Sequence, residues 1–341
     1  MEMMVPQPPA ITIPPVPSHI YLHHTTLSAR PKLILLGDSI TELGSSHSQG
    51  WVTSLAIRYN RRMDVINRGM NGYNSRWGLA ALPLILEEIL GAPSHQDDTV
   101  VSDECLEKDV IENNDAECEM NANNDQSSST DKKEMTQHPQ YAFLIGYGAN
   151  DSCLPDGGCS RHHVALDEYA SNLTKMIHLI QTWNAYSFSG NKKIAVALLT
   201  PPPCDTEKQK GNRDNDKVTR LYAEACRQVA SDMGIPVVDA WNGMQLPTIV
   251  QSEQQSSTKS SSSFSNNQQW KIDYLSDGLH LTPMGNYRLY ELVIEVLDRS
   301  MVDGDGNLGM GLAVTNLPRS YPDHSTIDAT EPETSFMACA F

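Results

Sequence analysis

Five short apolar runs recur along the chain, with room for a helix between most of them. Lys32 to Gly37 reads KLILLG, Met63 to Asn67 MDVIN, Tyr141 to Gly146 YAFLIG, Lys193 to Leu199 KIAVALL and Ile235 to Asp239 IPVVD. Each is of strand length, and the triple proline Pro201 to Pro203 stops the fourth. Between and after them, apolar residues fall at helical spacing over Trp51 to Arg61, Ser75 to Leu90, His162 to Trp183, Lys217 to Met233 and Pro283 to Arg299. Ser75 suits an N-cap and Pro283 a first helical turn. Strands alternating with helices predict a parallel sheet covered on both faces. Runs that are apolar throughout, rather than at every second residue, agree with double covering.

Four stretches depart from this pattern. Residues 1–30 are proline-rich and are expected to form a disordered leader. Residues 94–138 are acidic and rich in Asn and Ser, and 251–269 contain TKSSSSFSNNQQ; both lack the apolar content to offset chain entropy and are expected to be disordered insertions. Residues 301–341 are expected to form a loose tail. The folded domain is therefore expected over 31–300.

Composition narrows the function. The chain of 341 residues carries 42 acidic and 25 basic side chains, a formal charge of −17. Such a balance argues against nucleic acid or an anionic membrane as the main partner. Residues 94–138 alone hold thirteen acidic residues and three lysines, a net of −10, so the charge says little about the rest of the surface. The seven cysteines are scattered and form neither CxxC nor a zinc-ligand spacing, which fits reduced thiols in the cytosol and no metal site. No run approaches the roughly 20 apolar residues of a membrane-spanning helix.

Candidate chemistry lies at the ends of the strands. The first runs into Gly37-Asp38-Ser39-Ile40, which places a serine where open parallel sheets hold their ligands. A serine needs a neighbouring base to act as a nucleophile. Among eleven histidines, His280 has the most informative setting, because Asp277 precedes it by three residues in Ser276-Asp277-Gly278-Leu279-His280. On a tight loop that carboxylate can reach the imidazole and fix its tautomer. His23-His24 and His162-His163 read as surface pairs. Oxyanion donors could come from Asn67-Arg68-Gly69-Met70-Asn71-Gly72-Tyr73 after the second strand or from Gly146-Tyr147-Gly148-Ala149-Asn150-Asp151 after the third. Neither a GxSxG elbow nor GxxxxGK[ST] occurs, which weighs against a standard α/β-hydrolase and against a P-loop.

In these four blocks, GDSI, RGMNGYNSRW, GAND and DGLH, the chain resembles the SGNH hydrolases, also called GDSL esterases. The wider runs LGDSITELG, IGYGANDSCLP and SDGLHLTPMGNYRLY resemble the isoamyl acetate-hydrolysing esterase branch. The resemblance spans about Pro31 to Arg299 without the insertions. It implies a three-layer α/β/α sandwich with a five-stranded parallel sheet, flavodoxin-like in kind. It implies a cofactor-free serine esterase acting on a small-molecule ester of acetate type. Ser39 would be the nucleophile, His280 the base and Asp277 its orienting partner. Ser39, Gly72 and Asn150 would form the oxyanion hole, with Gly69 a rival for Gly72. Asp38, Arg76 and Asp151 fall in the same blocks and read as structural. Sugar-ester deacetylase, lysophospholipase and thioesterase activities remain alternatives, as does an inactive module of the same fold. Pro201-Pro202-Pro203-Cys204 departs from the family pattern.

Overall fold

The computed structural model describes residues 30–92, 138–186, 193–246 and 268–317, together with 319 and 325. The leader short of Arg30, the acidic stretch short of His138, and the serine-rich stretch short of Gln268 lie outside the described residues. One parallel sheet is built from β1 (Lys32–Gly37), β2 (Asp64–Gly69), β3 (Tyr141–Gly146), β4 (Ile194–Leu199) and β5 (Val237–Val238), in the order β2-β1-β3-β4-β5. β5 is shorter than its apolar run because Pro236 has no N–H to enter the ladder. Pro236 contributes only its carbonyl, which accepts from Leu198 N–H at 3.0 Å.

Successive residues of the central strands point to opposite layers. Leu33, Leu35, Ala142, Leu144, Ala195 and Ala197 pack with α2 (Trp51–Arg58) and α8 (Pro283–Asp298). Ile34, Leu36, Phe143, Ile145, Val196 and Leu198 pack with α3 (Ser75–Leu90), α4 (Leu166–Tyr186) and α5 (Arg220–Asp232). The expected three-layer α/β/α sandwich is thus the observed architecture. Both faces of β1, β3 and β4 are dry, which is why their sequences show no polar alternation. β2 is an edge strand and half-buried throughout, in keeping with its DVINRG sequence.

Helix boundaries differ from expectation where a local side chain decides them. Asn74, not Ser75, caps α3: its Oδ1 accepts from Trp77 N–H at 3.0 Å. α4 starts at Leu166 rather than His162, because Ser160–His162 forms a separate 3-10 turn. Pro283 does open α8, with Thr282 Oγ1 accepting from Gly285 N–H at 3.0 Å. Three short helices had no periodicity to announce them: α1 (Ser39–Glu42), α6 (Ala240–Gly243) and α7 (Gln269–Tyr274). α7 includes Gln269, the last residue of the expected serine-rich insertion, because Trp270 and Tyr274 bury against the core.

The expectation of a loose tail from residue 301 fails for residues 301–317. Met310 and Leu312 are fully buried and Leu317 nearly so. Met310 N–H and Leu312 N–H donate to Val296 O and Leu297 O at the end of α8. A few apolar residues spaced through a Gly- and Asp-rich stretch suffice to seat it.

At the carboxyl edge of the sheet, Gly69, Gly37 and Gly146 stand side by side in register. A Cβ on Gly37 would come within 2.2 Å of Thr41 Oγ1, and one on Gly69 within 2.3 Å of Glu42 N. The missing side chains let α1 lie across the strand ends, and α1 carries Ser39.

Candidate active site

The sheet order reverses direction between β1 and β3, and ligands of open α/β sheets bind outside the strand ends at such a switch point. Ser39 follows β1 there, and Asn150 follows β3. Asp38 caps α1 through its Oδ1, which accepts from Ile40 N–H at 2.9 Å. Ser39 becomes the first residue of that helix, where its own N–H has no intrahelical acceptor. The Ser39 residue is 4% exposed.

Ser39 Oγ lies 2.9 Å from His280 Nε2, across 241 residues of sequence. His280 Nδ1 lies 2.6 Å from Asp277 Oδ2. With Nδ1–H donating to the carboxylate, Nε2 is the unprotonated nitrogen and can accept the serine proton. The loop that holds the pair is closed on itself. Asp277 Oδ1 accepts from Leu279 N–H at 2.9 Å and from His280 N–H at 2.8 Å, while Ser276 N–H donates to His280 O at 2.9 Å. Partial burial would raise the Asp277 pKa, but the imidazole and these two N–H groups outweigh it and hold the carboxyl at about 2. Gly278 adopts φ +92°, and a Cβ there would meet Lys208 Cβ at 2.7 Å.

The candidate oxyanion donors converge from two loops. Asn150 is 5% exposed, and its Nδ2 donates one N–H to Tyr73 O at 2.9 Å, leaving the second without an acceptor among the described residues. Gly72 adopts φ +76°, and its N–H has no acceptor among the described residues. Gly69 N–H is taken by Asn67 Oδ1 at 2.8 Å, and its missing side chain makes room for α1. Of the two glycines, Gly72 alone has a donor to offer. Glu42 also accepts from Asn71 N–H, which ties the Gly72 loop to the end of α1.

The remaining members of these blocks hold the loops together. Both oxygens of Asp151 accept from Ser75 N–H, at 2.9 and 3.1 Å, joining the third block to the start of α3. Arg76 makes a two-pronged bond to Glu168 on α4, at 2.5 and 2.6 Å. Burial raises Asp38 to about 7 and Asp151 to about 6; for Asp38 the neighbouring Asp151 adds to the effect, and Ile40 N–H, Arg213 and His280 oppose it.

Three nearby residues were not legible as site residues. His47 lines a cavity of about 30 Å³ beside Ser39 and His280, walled by Ile40, Leu43 and Leu281. His162, read from sequence as a surface residue, packs edge-on against Trp77 with centroids 5.6 Å apart. Its Nε2 would lie 3.7 Å from a Cβ on Gly72, close to the candidate oxyanion loop. Arg213 is buried against Asn150. No periodicity or motif marks any of the three; each reaches the site through a loop. Among the described residues, no three His, Cys, Asp or Glu side chains gather as metal ligands, and no helix is long and apolar enough to cross a membrane.

Residues 33–293 match the GDSL-like lipase/acylhydrolase family. The isoamyl acetate-hydrolyzing esterase 1 homolog of Rattus norvegicus is 34% identical over 90% of this chain and 92% of its own. The protein of the same name from Homo sapiens is 31% identical over the same shares. A GDSL esterase/lipase of Arabidopsis thaliana is 27% identical over 90% of this chain and 98% of its own. Among solved structures, a lipase/acylhydrolase from Enterococcus faecalis superposes with a TM-score of 0.46 at 18% identity, covering 78% of this chain and 94% of that one, too loose a likeness to bear on chemistry. By this family match and these relatives, together with a serine, a histidine and an aspartate in hydrogen-bonded line at the strand ends, the chain belongs to the GDSL-like lipase/acylhydrolase family and is a carboxylic-ester hydrolase.

Proposed function

We propose that the chain hydrolyses small esters of acetate type through an acyl-enzyme formed on Ser39. One observation carries the reading: Ser39 Oγ, His280 Nε2, His280 Nδ1 and Asp277 Oδ2 form a single relay with spacings of 2.9 and 2.6 Å. His280 takes the proton of Ser39 as the hydroxyl attacks the ester carbonyl, then gives it to the departing alcohol. Asp277 orients the imidazole and stabilises the imidazolium. The N–H groups of Ser39 and Gly72 and the free N–H of Asn150 receive the oxyanion. A water deprotonated by His280 then attacks the acyl-enzyme and returns Ser39.

Two observations support a small substrate. The cavity between Ser39, His280, Leu43 and Leu281 measures about 30 Å³, room for a short apolar group. Two relatives, 34% and 32% identical, bear the name isoamyl acetate-hydrolyzing esterase 1 homolog. The four described free cysteines, Cys153, Cys159, Cys204 and Cys226, agree with a reducing compartment, and we place the enzyme in the cytosol.

The test is hydrolysis of p-nitrophenyl esters from acetate to palmitate and of acetates of varied alcohols, with wild type and Ser39→Ala. The reading expects kcat/KM to be greatest for acetate and to fall as the acyl chain lengthens, with all turnover lost in Ser39→Ala. A maximum at long acyl chains would favour the lysophospholipase or thioesterase alternative. A wild type that neither turns over nor is labelled by a fluorophosphonate would sink the catalytic reading altogether.

A further inference from the structure

Arg213 lies beyond β4 in Lys210-Gly211-Asn212-Arg213-Asp214, a polar run that from sequence alone belongs to solvent. Yet the residue is 5% exposed. One Nη donates to Asn150 Oδ1 at 3.1 Å; the other donates to Cys153 Sγ at 2.9 Å and approaches Cys159 Sγ at 3.6 Å. Its Nε is buried with no acceptor among the described residues. No carboxylate among them lies within ion-pair distance, although Asp38 feels its field. A buried cation without a paired carboxylate is costly to keep. Among the described residues, its guanidinium meets two thiol sulfurs and one oxygen, the carbonyl oxygen of the candidate oxyanion amide.

We propose that Arg213 is a positioning residue for the oxyanion hole, acting through Asn150; the proposal rests on the reading of Asn150 as an oxyanion donor. A carboxamide has two nearly isosteric orientations, and only one presents an N–H to the substrate. Arg213 selects between them, because a flipped amide would turn its NH₂ against the guanidinium, donor facing donor. Tyr73 O holds one N–H from the other side, so the second N–H stays aimed and needs no reorganisation as charge develops. Donation from a cation to Oδ1 also draws electron density from the amide and strengthens that N–H as a donor.

The stretch that carries Arg213 holds the histidine loop as well. Asp205 N–H donates to Gly278 O at 2.8 Å, and Gln209 Nε2 donates to Asp277 O at 3.0 Å. Cys204 packs with Ala149 and Leu279 in a small apolar cluster between the two loops. One connection after β4 therefore sets both the base and the candidate oxyanion donor against Ser39.

The experiment measures kcat and KM on p-nitrophenyl acetate for Arg213→Lys and Arg213→Gln, in the wild type and in Asn150→Ala. In the wild type, Arg213→Gln should lower kcat at least about tenfold, approaching the ~10²–10³-fold cost of a lost oxyanion donor, with KM little changed. Arg213→Lys, which keeps the charge, should recover part of the loss. In Asn150→Ala neither substitution should change kcat more than about twofold, because residues acting as a unit are not additive. Equal losses in both backgrounds would overturn the assignment of Arg213 alone. A wild-type kcat in Asn150→Ala would instead sink the oxyanion reading, and this assignment with it. Should neither Arg213 variant fold, NMR of the wild-type chain decides: the Asn150 side-chain N–H pair should be resolved, slow to exchange and cross-relaxed with the Arg213 Nη protons. Free exchange without cross-relaxation would overturn the proposal.

Discussion

Ser39 and its neighbour Asp38 both sit at the edge of the sheet, but they answer to different physics. In the proposed mechanism Ser39 acts only with His280 and Asp277, so removing any member should cost nearly everything. Ser39→Ala and His280→Ala should each remove nearly all turnover, and the double variant should be little worse than either single one. Losses that multiply independently, read by kcat/KM on an acetate ester, would contradict a shared unit. Asp38 is wholly buried, and burial lifts its pKa from 3.8 to about 7. Between those values the folded chain keeps a proton that the unfolded chain has released, so stability falls as pH rises across that window. Asp151, raised to about 6, adds to the same slope up to its own pKa. Asp277 works the other way: held at about 2, it contributes stability that is lost only as pH falls from about 4 toward 2. Asp38→Asn retains an acceptor for Ile40 N–H and removes the titration. Urea midpoints measured from about pH 4 to about pH 7 should therefore show a shallower decline than in wild type. An equally steep decline would show that Asp38 is not the group responsible.

At the scale of elements, the strands were legible and the loops that use them only in part. β1 and β3 agree with their apolar runs to the residue, because a strand buried on both faces has no polar position to blur its limits. α1, α6 and α7 are four to six residues long, less than two turns, and so carry no periodicity. The Asp277–His280 spacing suggested a tight loop, and that loop depends on Gly278. Its φ of +92° and the 2.7 Å approach to Lys208 Cβ leave no room for a side chain. Gly278→Ala should cost about 1–2 kcal/mol from backbone strain alone. It should also lower kcat, since the displaced turn carries both Asp277 and His280. Thermal melts beside kcat would check this; an unchanged midpoint with full activity would mean the turn tolerates a left-handed alanine.

For the whole molecule, the site is a product of topology. The sheet order sets the ends of β1 and β3 side by side, and the connection after β4 braces the loops that follow them. The segment beyond α8 belongs to the same body, with Met310 and Leu312 fully buried in the layer that contains α2 and α8. Leu312→Ala should therefore destabilise the fold by about 2–5 kcal/mol, as for other large-to-small changes in a core. Ser39 lies at the carboxyl edge, away from this residue's partner at Leu297, so kcat measured below the melting transition should stay near wild type. A change below about 1 kcal/mol would restore the picture of a loose tail.

The layers and the candidate chemistry are legible in the sequence. Apolar runs of strand length mark a doubly covered sheet, and four short blocks carry Ser39, Gly72 and Asn150 after the first three strands and Asp277 and His280 just before the last helix. These are local properties: burial period, turn residues and a three-residue spacing can all be read within a few positions. Which groups meet depends on the packing of distant segments. Gly72 outranks Gly69 because Asn67 consumes the Gly69 N–H, a bond the sequence does not spell out. Asn74 caps α3 through Trp77 N–H, and Asp151, 76 residues beyond Ser75, accepts the Ser75 N–H that the helix leaves unpaired. Arg213 is buried against Asn150, 63 residues away, although its neighbours in sequence are polar. Burial of a polar side chain depends on what the fold packs over it, and contacts between distant loops leave no periodic trace in either segment.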